Sequence, residues 1–242
     1  MKTTNRKVAL AAIMTFGGLA TVSTARGDIM VGDTVDLTFV GTEATRAVSW
    51  EFDGATGSSN AGVLLWGGGV RAFCVQLEEN IAGGQTVTFD AVAPEALPDQ
   101  PPLPGPMGAA RSLVMQDLFS RWYDDVMGRS GSDLKNHAAA FQMVIWEISH
   151  EMSATGDAAG IFSGLDLASG DMLFDPGANS ATVYGIANSM LGSLGNGGFS
   201  SYSRLVGLTN NTYQDQLVVV PGVGSLAALM GVAAVGRRRR RG

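Results

Sequence analysis

Six of the eight prolines of this chain lie between Pro94 and Pro106, and the hydrophobic period differs on the two sides of them. Before them apolar residues alternate: Val35, Leu37 and Phe39 within Thr34 to Val40, then Val48, Trp50 and Phe52. Further short runs follow at Val63 to Trp66, Val70 to Val75 and Thr86 to Val92, separated by Gly, Ser and Asn clusters. A period of two marks strands that bury one face. After the prolines, Ala110, Val114, Leu118, Trp122 and Val126 recur at every fourth residue, with Phe119 beside them, which predicts an amphipathic helix of about five turns ending at Gly128. A second helix is expected from a cap at Ser132 or Asp133, with Ala138, Phe141, Ile145 and Ile148 as its apolar stripe and Glu147 and Glu151 nearer solvent. Ser180 to Leu194 predicts a third, shorter helix, and Gln216 to Val220 a final strand. The proline stretch has no apolar period and is expected as an extended surface loop. The body is therefore expected to be α+β: a β-sandwich or barrel-like sheet carrying a helical insertion.

The two ends obey other rules. Lys2, Arg6 and Lys7 are followed by fifteen uncharged residues, Val8 to Val22, and then by small residues at Ser23 and Ala25. This is the layout of a cleavable secretion signal over residues 1–25, and the apolar run is shorter than the ~20 residues of a membrane span. At the other end, an uncharged and mostly apolar stretch after Pro221 runs directly into Arg237, Arg238, Arg239, Arg240 and Arg241. Positive charge is retained on the cytoplasmic side, so residues 220–242 are expected to stop in the membrane as a sorting helix, with the arginines inside. Residues 28–219 remain as the exported domain.

Charge sharpens the picture. Eight of the sixteen Lys and Arg residues lie in the two ends and all twenty-two acids lie between them, which leaves the body at a net of −14. A body so acidic is a poor ligand for nucleic acid or for anionic lipid. It contains one lysine, Lys135.

Cys74 is the only cysteine. In an exported chain it cannot form an internal disulfide, so it is buried, paired with another molecule, or used for its reactivity. It sits near the end of the short strand Arg71-Ala72-Phe73-Cys74-Val75, and Gln142 lies in the second helix within Phe141-Gln142-Met143-Val144-Ile145-Trp146-Glu147. These two segments resemble those of bacterial surface thioester domains, in which an aromatic-Cys strand faces a helix reading Gln-x-x-Ile-Trp. They are more similar still to exported proteins with exosortase-type sorting signals that pair a Phe-Cys strand with a Phe-Gln-x-x-Ile-Trp-Glu helix. The adhesin pattern has threonine before the glutamine and alanine two residues after it, where this chain has Phe141 and Val144. The resemblance implies a cross-link between Cys74 and Gln142, with Phe73, Phe141 and Trp146 shielding or packing around it. It also implies covalent capture of an amine on a partner surface or matrix, by a single-use adhesin and not by an enzyme. The same segments fit a second reading, a non-covalent structural or ligand-binding surface protein with the same fold. The last residues resemble the PEP-CTERM type of sorting signal, with Val220-Pro221-Gly222 where Pro-Glu-Pro is usual. That implies an exosortase-type enzyme as partner and a destination in the cell envelope or outside the cell.

Other chemistries find less support. His137 and His150 are the only histidines, and neither flanking sequence matches the signatures of cysteine hydrolases. Asp124 and Asp125 do not have the spacing of a metal site, and no cofactor is expected. Gly67, Gly68 and Gly69 read as a turn, because no Lys-Ser or Lys-Thr follows.

Overall fold

The computed structural model describes residues 29–77, 79, 81–99 and 104–221. The expected secretion signal and the sorting segment beyond Pro221, with Arg237 to Arg241, lie outside the described residues. Among the described residues no helix is long and apolar enough to cross a membrane.

The chain is mixed α and β with a large antiparallel sheet. Strand β1 spans Thr34–Phe52, β2 Ala55–Trp66, β3 Val70–Cys74 and β4 Thr86–Val92. Helices α1 (Gly108–Gly128), α2 (Gly131–His150) and α3 (Ala158–Ser163) follow, then the two-residue strand β5 (Met172–Leu173) and helix α4 (Ala181–Leu191). Strands β6 (Leu205–Thr209) and β7 (Gln216–Val219) return to the sheet, whose order is β2-β3-β7-β6-β4-β1-β5. Because β1 pairs with both β4 and β2, the hydrogen-bonded ladder of the six longer strands closes on itself.

That closure depends on a bend in β1, which the sequence presents as two strands. Residues Thr34 to Thr38 pair with β4 and Phe39 to Phe52 with β2, with register shifts at Phe39/Gly41 and Thr42/Ala44. Leu37 and Phe39 are buried on odd positions, Ala44, Val48 and Phe52 on even ones. The two shifts add one residue each and cancel in phase, so the change of parity means that the two halves of β1 bury opposite faces, the second half packing against α2, where Phe52 meets His150. Gly41, at φ +148°, takes a conformation that side-chain-bearing residues rarely adopt.

The helical block between β4 and β6 is organised around α2. Every residue from Ala138 to His150 is buried, between α1 and α4 on one hand and β1 and β2 on the other. A helix that is apolar all round belongs inside a protein, and Ala138 to Trp146 carries no charge. The expectation of Glu147 and Glu151 near solvent is therefore corrected: both are fully buried, since the helix has no solvent face at that end. The N-terminus is corrected too: the helix starts at Gly131 after Ser130, which makes no side-chain cap, and Asp133 instead binds Arg129 at 2.6 Å.

The proline stretch is not simply a surface loop. Pro94–Ala96 forms a 3-10 turn, and Leu97 is fully buried, packed so closely on Gly207 of β6 that a Cβ there would meet Leu97 Cδ1 at 2.6 Å.

Candidate functional site

Cys74 ends β3 at the point where that strand leaves one neighbour. The Val75 N–H donates to Asp215 O at 2.9 Å, toward β7. Backbone groups alternate sides along a strand, so the Cys74 N–H and C=O face the other way, toward β2. The β2 pairing stops at Leu64 opposite Ala72, which leaves the next ladder position open. The Gln142 side chain fills it. The Cys74 N–H donates to Gln142 Oε1 at 3.2 Å, and Gln142 Nε2 donates to Cys74 O at 2.7 Å. One carboxamide thus replaces a strand for one residue, and it satisfies two backbone groups whose burial unpaired is costly. Gln142 is fully buried and Cys74 is 5% exposed.

The surroundings are apolar and aromatic. Phe73 meets Phe141 with ring centroids 4.9 Å apart, and Phe119 of α1 packs on both, at 6.2 Å and 4.9 Å. Trp146 follows Gln142 by one helical turn and is 1% exposed. Burial pushes the Cys74 thiol up to about 12, while the Trp146 indole and a backbone group pull the other way. The thiol is neutral at physiological pH. The indole Nε1 has no hydrogen-bond partner of regular geometry among the described residues.

No protein-family model, no curated protein and no solved structure matches this chain.

The structure brings Phe73, Cys74, Phe141, Gln142 and Trp146 into one buried constellation. Pro221 lies apart from it, at the end of the described residues, where it lines a cleft of about 210 Å³ with Ile29, Arg71 and Tyr123. Neither histidine hydrogen-bonds Cys74. His137 bonds Asp133 near the start of α2. His150, at the C-terminal end of α2, is 1% exposed, with Phe52 edge-on at 4.8 Å. Its Nδ1 lies 2.8 Å from Ser149 Oγ and 3.1 Å from Trp146 O, and burial pushes its pKa down to about 3. Asp124 and Asp125 are paired with Arg204 and Arg129, and Gly67–Gly69 forms the turn between β2 and β3.

Sequence reasoning missed the polar framework that fixes these residues. Arg111 of α1 donates to the carbonyls of Ile148, Glu151 and Ala154, each at 2.7 Å, and so closes the C-terminal end of α2. The Glu151 carboxylate accepts from the N–H groups of Asp171 at 2.7 Å and Met172 at 3.2 Å and from the Ser153 hydroxyl. Glu147 accepts from Asp166 N–H at 2.8 Å, and burial raises its pKa to about 8. Across the sheet, buried Asp215 accepts from the N–H groups of Asp99 and Asn210, while its own N–H donates to Gln76 Oε1 at 2.7 Å. This ties the residues after Cys74 to the start of β7. Nothing in one sequence pairs Arg111 with α2 or Gln76 with Asp215, because each contact exists only once the sheet and helices are packed.

Proposed function

We propose that this chain is an exported cell-envelope or extracellular-matrix protein that captures amines covalently, through a thioester between Cys74 and Gln142. The observation that carries the reading is the Gln142 carboxamide held at both ends on the Cys74 backbone in a buried, aromatic pocket. The closed strand ladder with its helical block supports a barrel-like, thioester-type version of the fold.

The chemistry balances without any cofactor. The Cys74 sulfur attacks Cδ of Gln142, the C–S bond forms, the C–N bond breaks, and ammonia leaves carrying the thiol proton. A primary amine on a partner then attacks the same carbon. The C–S bond breaks, a proton passes from nitrogen to sulfur, and Gln142 is left as a substituted amide joined to the partner. Each molecule reacts once, so the protein is a capture device and not an enzyme. Exclusion of water by Phe73, Phe141 and Trp146 protects the electrophile until an amine arrives. The single lysine of the body, Lys135, limits self-reaction. The secretion signal and the arginine-ended tail support export, transient anchoring in the inner membrane by the C-terminal helix, and release by an exosortase-type enzyme.

The test is a biotin-linked primary amine offered to the purified protein, followed by peptide mapping. The expected result is one label, on Gln142, and none in Cys74→Ala. Label spread over several residues, or label independent of Cys74, contradicts the proposal. A second reading has its own support: the two hydrogen bonds already complete the ladder at Cys74 without a covalent bond, as in a non-covalent structural or ligand-binding surface protein of the same fold.

A further inference from the structure

Gln216 stands directly opposite Cys74 in the β3–β7 pair. Since the Cys74 backbone groups face Gln142, this is a non-hydrogen-bonded pair, the kind in which side chains share a face and come closest, with Cα atoms about 4.5 Å apart. Gln216 is fully buried. Its Nε2 donates to Gln214 O at 2.9 Å, which fixes the amide, while its Oε1 has no hydrogen-bond partner among the described residues. Two buried polar atoms of opposite kind therefore belong to the residues beside Cys74 and do not bond each other: the indole N–H of Trp146, a donor that acts on the thiol, and Oε1 of its cross-strand neighbour Gln216, an acceptor. Unpartnered buried polar atoms are costly and rare, and each one asks for a reason.

We infer that Trp146 and Gln216 are the positioning residues for amine exchange at the Cys74–Gln142 bond, and that the site takes primary amines. This rests on the thioester reading above. When an amine attacks the thioester carbon, its nitrogen becomes positively charged while it still carries hydrogen. Gln216 Oε1 accepts one of those N–H groups in a charge-assisted bond, and it holds the departing ammonia in the same way when the thioester first forms. The indole N–H donates to the sulfur as the C–S bond breaks and negative charge collects there. A primary amine has one N–H for Gln216 and one proton to return to sulfur. A secondary amine, after attack, has only the one that sulfur must receive.

The experiment uses the purified wild-type protein, Gln216→Leu and Trp146→Phe, each checked for folding by its melting curve and for thioester content by intact mass. Uptake of methylamine and of dimethylamine is then timed. In Gln216→Leu, methylamine uptake is expected to slow about tenfold, with dimethylamine changed much less, so the preference for the primary amine shrinks. In Trp146→Phe both amines slow together and the preference is kept. Unchanged methylamine rates and an unchanged preference in a folded Gln216→Leu overturn the role of Gln216. Should that variant fail to fold, unchanged rates in Trp146→Phe overturn the inference through its other member. A wild-type protein without the thioester overturns the underlying reading instead, and intact mass separates that outcome from the others.

Discussion

The Gln142 carboxamide pairs with the backbone of Cys74, not with its thiol, taking the ladder position two residues beyond Ala72, the last partner of β2. The relationship has an asymmetric consequence. Cys74→Ala keeps both hydrogen bonds, whereas Gln142→Ala leaves a buried N–H and C=O unpaired.

In a Cys74→Ala background, where no thioester contributes, adding Gln142→Ala is expected to cost about 2–4 kcal/mol in urea unfolding. A cost below about 1 kcal/mol contradicts the ladder role of the amide.

Arg111 closes α2 from outside it. Arg111→Met removes three donors from the carbonyls of Ile148, Glu151 and Ala154 and leaves Glu147 and Glu151 without their nearby buried cation. A loss of about 3 kcal/mol is expected in the same assay. Because Trp146 lies on that end of the helix, amine uptake should also slow. Stability equal to wild type contradicts the account of the helix end.

Glu147 sets an alkaline limit. Its pKa is raised from 4.5 to about 8, mainly by burial and then by the neighbouring Glu151 and Asp166, against the Asp166 N–H and Arg111. The fold favours the protonated acid, so this contribution is complete below pH 4.5 and is lost as the pH rises through about 8. Glu147→Gln stays neutral and its Oε1 still accepts from the Asp166 N–H. Melting temperatures should converge at pH 4 and favour the variant at pH 8, by on the order of 2–4 kcal/mol. Parallel curves across that range contradict the prediction.

His150 acts at the acid end. Burial lowers its pKa from 6.5 to about 3, so the fold prefers the neutral ring. The stability linked to it is complete above pH 6.5 and is lost as the pH falls through about 3. In an NMR titration the His150 ring should remain neutral at pH 5, and titration near 6.5 would show that the ring is solvated.

How much of this was legible beforehand depends on whether a signal is local. Helix α1 and strand β4 follow from periodicity alone, because their buried faces repeat without interruption. The long β1 reads as two strands because its two halves, joined through the bulges near Gly41, bury opposite faces. Strand β6 was not expected: Gly207 interrupts its apolar run, and that glycine is there to admit Leu97. Cys74 and Gln142 stood out through residue type and resemblance, and Trp146 through its helical spacing from Gln142. Gln216 had no local mark, since its place beside Cys74 is set by the register of β3 on β7. Glu147 and Glu151 misled for a related reason. Charged and polar residues near a helix end usually face water, and only the packing of Arg111 and the 166–172 segment makes their burial tolerable.

The most direct test of the central claim is the intact mass of the purified protein, beside Cys74→Ala and after methylamine treatment. The account predicts that wild type alone is one ammonia lighter than its sequence and gains one methylamine, while Cys74→Ala shows neither change. A wild-type mass equal to the sequence, unaltered by methylamine, would contradict covalent capture and leave Cys74 and Gln142 as partners in packing.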